Sequence, residues 1–288
     1  ISFSNTKEGC DKLLSLFEKA GADLDALVIG MEATGQYWLS VYAFLAELGY
    51  DVKVINPIQS EAFRKMYIRQ TKNDSKDSFI ITQVMRFGQY SSTALSQENM
   101  VALRQLSRYR LALVDSCGDC KRRVIALLDQ VFPEYDRLFS DTFGVTSKEI
   151  LLKYPTPEDM LTLSTRKLTS LLSKSSRGHF GEEKAKQLKS VAANSFGVSF
   201  AKDAFSFQIK QLMEQIVFLE NQIKALEKEI SVLLHQANTA ITTIPGIGDV
   251  LGAIILSEIG DINRFDTPSK LVAFAGLDVK VSQSGEFV

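Results

Sequence analysis

Ala26-Leu27-Val28-Ile29-Gly30-Met31-Glu32 is a continuous apolar run closed by an acid. Apolarity that is continuous rather than alternating is the pattern of a strand buried on both faces, as in parallel sheets. The neighbouring segments fit that reading. Upstream, Ile1–Ser4 reads as the end of a strand and Asn5-Thr6 as the cap of a helix through Ala20. Glu8 lies in the first turn of that helix, with Leu13, Leu14, Leu16 and Phe17 on one side. Downstream, Gln36–Leu48 is amphipathic and ends at Gly49, and Val52–Ile55 is a second strand stopped by Asn56-Pro57. This alternation predicts a parallel or mixed sheet with crossover helices.

After Phe79 the pattern is helix only. A first seam runs Leu103, Leu106, Arg110, Leu113, Cys117, Cys120, Val124, Leu127, Val131, and Phe132-Pro133 stops it. A second runs Ile209, Leu212, Ile216, Leu219, Ile223, Leu226, Ile230, Leu233. Alternating Ile and Leu over successive heptads is a coiled-coil signal, and this choice favours parallel two-stranded pairing. The partner is either the first seam folded back antiparallel or the same helix of a second subunit. Residues 134–204 read as a small helical insert with turns at Pro155, Pro157 and Ser175-Ser176-Arg177-Gly178. Ile244-Pro245-Gly246-Ile247-Gly248 precedes an apolar helix from about Asp249 to Ile259, and the chain closes with Lys270–Leu277 and a polar stretch. The expected fold class is α/β plus all-α. The expected domains are 1–95, a helical and coiled-coil region 96–236, and a C-terminal domain 237–288.

A 45% hydrophobic content in 288 residues supports a substantial core. No apolar stretch approaches the roughly 18 residues of a membrane span, no signal segment opens the chain, and three cysteines do not make a disulfide framework. The cytoplasm is the expected compartment. The first residue, Ile1, and the unfinished character of Gly285-Glu286-Phe287-Val288 suggest an internal fragment. Net charge is −1, unevenly spread. Residues 1–59 carry four Lys/Arg against eight Asp/Glu, whereas 60–123 carry twelve against six. A local basic stretch is the footprint of a phosphate-backbone partner, although a solvated helical face looks the same.

Within that stretch lies Thr71-Lys72-Asn73-Asp74-Ser75-Lys76-Asp77-Ser78. Asp74 and Asp77 share one face if the segment is helical, and Glu32 ends a buried strand where α/β sheets build their sites. Three carboxylates from separate elements suit a hard, oxygen-ligated Mg²⁺ and phosphodiester chemistry. The glycines of Ile244-Pro245-Gly246-Ile247-Gly248 resemble a helix-hairpin-helix turn, in which Gly246 and Gly248 let the backbone approach a phosphate. Arg104, Arg108, Arg110, Lys121, Arg122 and Arg123, with Arg64, Lys65, Arg69, Lys72 and Lys76 before them and Tyr67 and Tyr109 interleaved, form a candidate nucleic-acid face. Cys117 and Cys120 fall on the apolar seam without a second cysteine pair and read as core residues, not zinc ligands.

Together these blocks resemble the insertion-sequence-110 family of DEDD transposases. The resemblance is carried by Met31-Glu32-Ala33-Thr34-Gly35-Gln36-Tyr37, Val54-Ile55-Asn56-Pro57 and Lys72-Asn73-Asp74-Ser75-Lys76-Asp77. In the C-terminal half it is carried by Ile244-Pro245-Gly246-Ile247-Gly248, Glu258 through Phe265, Leu271 through Leu277 and Gln283-Ser284-Gly285. The family usually carries Thr at the Asn73 position and Ala at the Ser78 position, changes that leave the acids in place. The resemblance implies a RuvC-like, ribonuclease-H-type N-terminal domain whose acids hold Mg²⁺, with Glu32, Asp74 and Asp77 at the second, third and fourth acid positions. The first acid has no counterpart here. It also implies a serine nucleophile, at Ser284, and a dimer or tetramer acting on donor and target DNA under a structured guide RNA. The expected function is therefore DNA strand cleavage and rejoining by a mobile-element recombinase, with this fragment itself inactive. A Holliday-junction endonuclease using the acids alone is the competing enzyme. A coiled-coil scaffold that binds nucleic acid is the non-catalytic alternative.

Overall fold

In a computed structural model of the chain, residues 2–21, 26–33, 35, 37–66, 74–88 and 98–277 are described, Asp74 and Glu98 by backbone only. The chain divides into two compact units, Ile1–Leu95 and Ser96–Val288.

In the first unit, α1 (Lys7–Lys19) starts at Thr6, whose hydroxyl accepts the N–H of Gly9. β1 (Val28–Glu32) and β2 (Asp51–Ile55) pair in parallel, Val28 opposite Asp51 and Glu32 opposite Ile55. α2 (Trp38–Glu47) makes the crossover, and Gly49, at φ 86°, turns the chain toward β2. The Asn56-Pro57 that ends β2 also starts α3 (Pro57–Lys65). Asn56 Oδ1 accepts the Ile58 N–H at 2.9 Å, and Pro57 takes the first turn, where no N–H donor is needed. α4 (Asp74–Phe87) covers β1 and packs Ile80 and Val84 with Ile55. The strand expected at Ile1–Ser4 is not formed over the described residues 2–4. The Ser4 carbonyl instead accepts the Thr6 N–H, so the segment becomes the lead-in to α1.

The second unit is built on α5 (Glu98–Val131). It continues through α6 (Val145–Lys153), α7 (Pro157–Leu161), α8 (Thr165–Ser175) and α9 (Glu182–Ala193) to α10 (Lys202–Gln236). Leu103, Leu113, Cys117, Val124 and Val131 of the first seam are buried, as are Ile209, Leu212, Ile216 and Ile230 of the second. Arg110 pairs with Glu227 and Lys121 with Glu220, so residue numbers rise on α5 as they fall on α10. The helices are antiparallel, and the second seam is filled by the chain's own α5. Connectivity overrides the parallel preference of Ile/Leu heptads, because Val198 N–H donates to the Gln130 carbonyl and α10 begins beside the end of α5.

The four short helices share one core with the adjoining ends of α5 and α10, including Phe132, Tyr135, Ile150, Leu151, Leu172 and Leu188. Tyr135 is fully buried with its hydroxyl 2.9 Å from Ser147 Oγ, and burial pushes its phenol pKa up. Thr156 and Asp159 form a reciprocal capping box at the start of α7. At the other end of the long pair, Leu103, Ile230, Leu234 and Ala253 join α5 and α10 to α11 (Asp249–Ile259). A Cβ at Gly252 would sit 2.9 Å from Ile241 Cγ2, so the glycine sets how closely α11 approaches. α12 (Pro268–Phe274) follows. The protein is thus mostly helical with a small parallel sheet, and among the described residues no helix is long and apolar enough to cross a membrane.

Candidate functional site

Glu32 is the last residue of β1, at the carboxyl edge of the sheet. Ser60, on the second turn of α3 and 2% exposed, donates its hydroxyl to Glu32 Oε2 at 2.6 Å. Asp77 lies in the first turn of α4 and is half-buried. Arg64, one turn after Ser60 on α3, donates Nη2 to Asp77 Oδ1 at 2.6 Å and Nη1 to Glu61 Oε2 at 2.5 Å. The Arg64 side chain is 12% exposed, and its Nε has no hydrogen-bond partner among the described residues. One face of α3 therefore serves both acids, Ser60 holding Glu32 and Arg64 neutralising Asp77.

Asp74 opens α4, so Asp74 and Asp77 have the helical spacing expected of them. Its side chain, Lys72 and Ser284 lie outside the described residues. Among the described residues no three His, Cys, Asp or Glu side chains converge as a metal-binding group. Lys76 is exposed on α4. Sequence reasoning missed Ser60 and read Arg64 only as part of the basic face. The signal was Asn56-Pro57, read only as the end of a strand. Read also as a helix start, it places positions 60 and 64 four apart on one face.

The arginines of α5 divide into two groups. Arg108 Nε and Nη2 each donate at 2.8 Å to the two carboxylate oxygens of Glu258, and Arg104 Nε donates to the Ser257 carbonyl at 2.7 Å. These contacts tie α5 to α11. The Arg108 hydrogen bond holds the Glu258 carboxyl below the usual carboxylate range, and burial lowers the pKa of Arg104. Arg122 and Arg123 are exposed, and among the described residues Arg122 pairs with Asp119, its neighbour on the same helix. Gly246 has φ 89°, and Gly248, with no side chain to cap the helix, precedes α11. Both are exposed, with nothing within 4 Å of where a Cβ would stand. The first-turn N–H groups of α11 therefore begin at an open turn. Cys117 is buried, its thiol pKa pushed up by burial, and Cys120 lies 3.6 Å from Gln215 Oε1. The core assignment of the pair holds.

A transposase family model of the DEDD, IS110 type matches residues 1–133, and a second, the transposase IS116/IS110/IS902 family, matches residues 238–288. The chain is 26% identical over 282 residues to the mini-circle putative transposase for IS117 of Streptomyces coelicolor, covering 93% of this chain and 67% of that protein. It is 23% identical over 277 residues to an uncharacterized protein of insertion element IS116 of Streptomyces clavuligerus, covering 95% of this chain and 69% of that protein. It is also 23% identical over 284 residues to a pilin gene-inverting protein of Moraxella bovis, covering 99% of this chain and 66% of that protein. Both ends of the chain thus match one group of transposases, in chain order, and the relatives align across the long helices between them. The chain belongs to the IS110-type transposase family.

Proposed function

We propose that this chain is a DNA recombinase of an insertion sequence that cuts and rejoins strands through a serine–DNA linkage. The observation that supports the reading best is the acid arrangement. Glu32 ends a strand of a parallel βαβ unit, and Asp74 and Asp77 stand in the first turn of α4, which packs on that strand. This arrangement supports a RuvC-like reading of the first unit. The donors are carboxylate oxygens only, a set that fits a hard divalent cation. Glu32, Asp74 and Asp77 would hold Mg²⁺, which supplies charge stabilisation to a phosphate in transition. Ser60 fixes the rotamer of Glu32, and Arg64 gives the Asp77 carboxylate a partner in the absence of the ion.

Ser284 is the nucleophile in this reading. Its hydroxyl oxygen bonds to the phosphorus of a DNA phosphodiester, the bond to one deoxyribose oxygen breaks, and the serine proton passes to that leaving oxygen. Attack by the deoxyribose hydroxyl of a second strand reverses the step and rejoins the backbone. The open Gly246–Gly248 turn grips the duplex without reading its sequence, and exposed Arg122 and Arg123 with Lys72 and Lys76 extend the phosphate contacts. A guide RNA selects the donor and target DNA, and the active species is a dimer or tetramer. Because α5 and α10 fill each other's seam, such an assembly uses other faces of this pair. Domains 1–95, 96–236 and 237–288 then hold the acids, the scaffold and the serine.

Asp74→Asn or Ser284→Ala in the recombination-competent protein is expected to abolish recombination while leaving RNA binding near wild type. Denaturing gels of DNA reactions are expected to show a covalent protein–DNA adduct that Ser284→Ala removes. Undiminished recombination by either variant refutes the assignment, and cleavage without an adduct favours an acid-only endonuclease.

A further inference from the structure

Among the described residues Arg264 has no ion-pair partner, yet its guanidinium stands over two aromatic rings. It closes the short 3-10 turn Ile262–Arg264 between α11 and α12. Its guanidinium carbon lies 4.6 Å from the ring centre of Phe265 and 4.5 Å from that of Phe274. The two rings are 5.3 Å apart at 56°, an open wedge around the cation. A guanidinium stacked on ring faces keeps its N–H donors at its edge, where rings cannot use them. Phe274 is 50% exposed, so the two rings take up few of the solvent-facing directions around that edge. Asp261, the nearest acid before it in sequence, accepts both N–H groups of Asn263 at one carboxylate oxygen, and Asp266 pairs with Lys270.

The surroundings add charge of the same sign. Arg264 lies close enough to Arg104 to act on it electrostatically, as does Arg108. Arg104 and Arg108 are already bound to α11, through the Ser257 carbonyl and the Glu258 carboxylate. A flat, edge-exposed guanidinium such as that of Arg264 is suited to a phosphodiester, which accepts two parallel N–H bonds from arginine.

We propose that Arg264, braced by Phe265 and Phe274, is a backbone-phosphate contact for duplex DNA. The inference rests on the reading that this chain acts on DNA. The contact carries no sequence preference, because it meets only phosphate oxygens. Its function is to fix the DNA at the joint of α5 and α11, where Arg104 and Arg108 supply field rather than donors.

The test is fluorescence anisotropy of the 288-residue chain with labelled duplexes of two unrelated sequences, titrated across a range of KCl concentrations. Arg264→Gln is expected to weaken both duplexes equally, by roughly tenfold, the scale of one charge-assisted contact. It should also flatten the slope of log K against log salt by about 0.9, the signature of one lost phosphate. Arg264→Lys should restore the slope and part of the affinity. Phe274→Leu should keep the slope and lose severalfold in affinity, since the charge remains and its brace does not. An Arg264→Gln slope equal to wild type overturns the inference, as does an effect confined to a structured RNA probe. Absence of duplex binding by the wild-type chain overturns it together with the DNA-acting reading, whereas binding with an unchanged slope overturns it alone.

Discussion

Arg64→Gln should tighten divalent-metal binding at the acid site. In the metal-free protein the Arg64 guanidinium sits 2.6 Å from Asp77 Oδ1, with the two side chains only 12% and 25% exposed. A dication that takes Asp77 as a ligand must displace or tolerate this cation. Two unit charges about 4 Å apart interact by roughly 4 kcal/mol at an effective dielectric near 20. Most of that is not recovered. Arg64 keeps Glu61 as a second partner, and water reaches the pair. The measured worth of exposed pairs is about 0–1 kcal/mol, and truncating one partner of a buried pair costs about 3–5. A net gain of about 1–2 kcal/mol is the reasonable middle, or roughly five- to thirty-fold in affinity at 1.4 kcal/mol per decade. The assay is Mn²⁺ binding followed by electron paramagnetic resonance, with Mg²⁺ as competitor, on wild type, Arg64→Gln and Asp77→Asn. Asp77→Asn should abolish the competed site. Weaker or unchanged Mn²⁺ binding by a folded Arg64→Gln would refute the view of Arg64 as the counter-ion that a metal displaces.

Four further outcomes are expected. Ile216→Ala empties a fully buried seam position between α10 and α5 and should cost about 2–5 kcal/mol in urea unfolding. Gly197→Ala places a Cβ 1.9 Å from the backbone oxygen of Val131, which cannot swing away as a side chain can, and should destabilise by about 2 kcal/mol or more in the same assay. Glu258→Gln should cost no more than about 1 kcal/mol, because its partner Arg108 is 63% exposed. The folded Glu258 carboxyl lies below its unfolded value, so its stabilisation is present above about pH 4.3 and is lost as pH falls through the folded pKa. The acid limb of the stability curve should accordingly be shallower in the Gln variant, and an identical limb refutes the assignment. Mass spectrometry after alkylation at pH 8 should find Cys117 slower to react than Cys120, because burial raises the Cys117 thiol and closes it off.

The long elements were legible because their periodicity extends over many turns. Six of the nine seam positions named on α5 and four of the eight on α10 are buried, and the strands were read at 26–32 from continuous apolarity and at 52–55 from the Asn56-Pro57 stop. The pairing of the two seams was not legible. Ile and Leu at alternating positions report a helix partner, and the sense of pairing comes from the insert that returns the chain beside Val131. The acids were singled out as a set, because an acid at a strand end or a helix start is by itself as often a cap or a surface residue. The roles of Ser60 and Arg64 were not legible, since they depend on α3 packing against α4. Arg104 and Arg108 show the opposite failure. A basic helix face and an inter-helix clamp have the same composition, and only Glu258, 150 residues away, distinguishes them.

The paired long helices also set a distance. Thirty-four residues of α5 at about 1.5 Å each make a rod of roughly 50 Å, held straight by its antiparallel neighbour. The insert is fused to one end through Phe132 and Gly197, and the Gly246–Gly248 turn with Arg264 is mounted at the other through Leu103 and Ala253. A ligand touching both ends spans about fifteen base pairs of duplex at 3.4 Å per step. Adding or deleting one heptad in register on both helices would shift that span by about 10 Å, close to three base pairs. The length of the scaffold is thus written in the number of heptads.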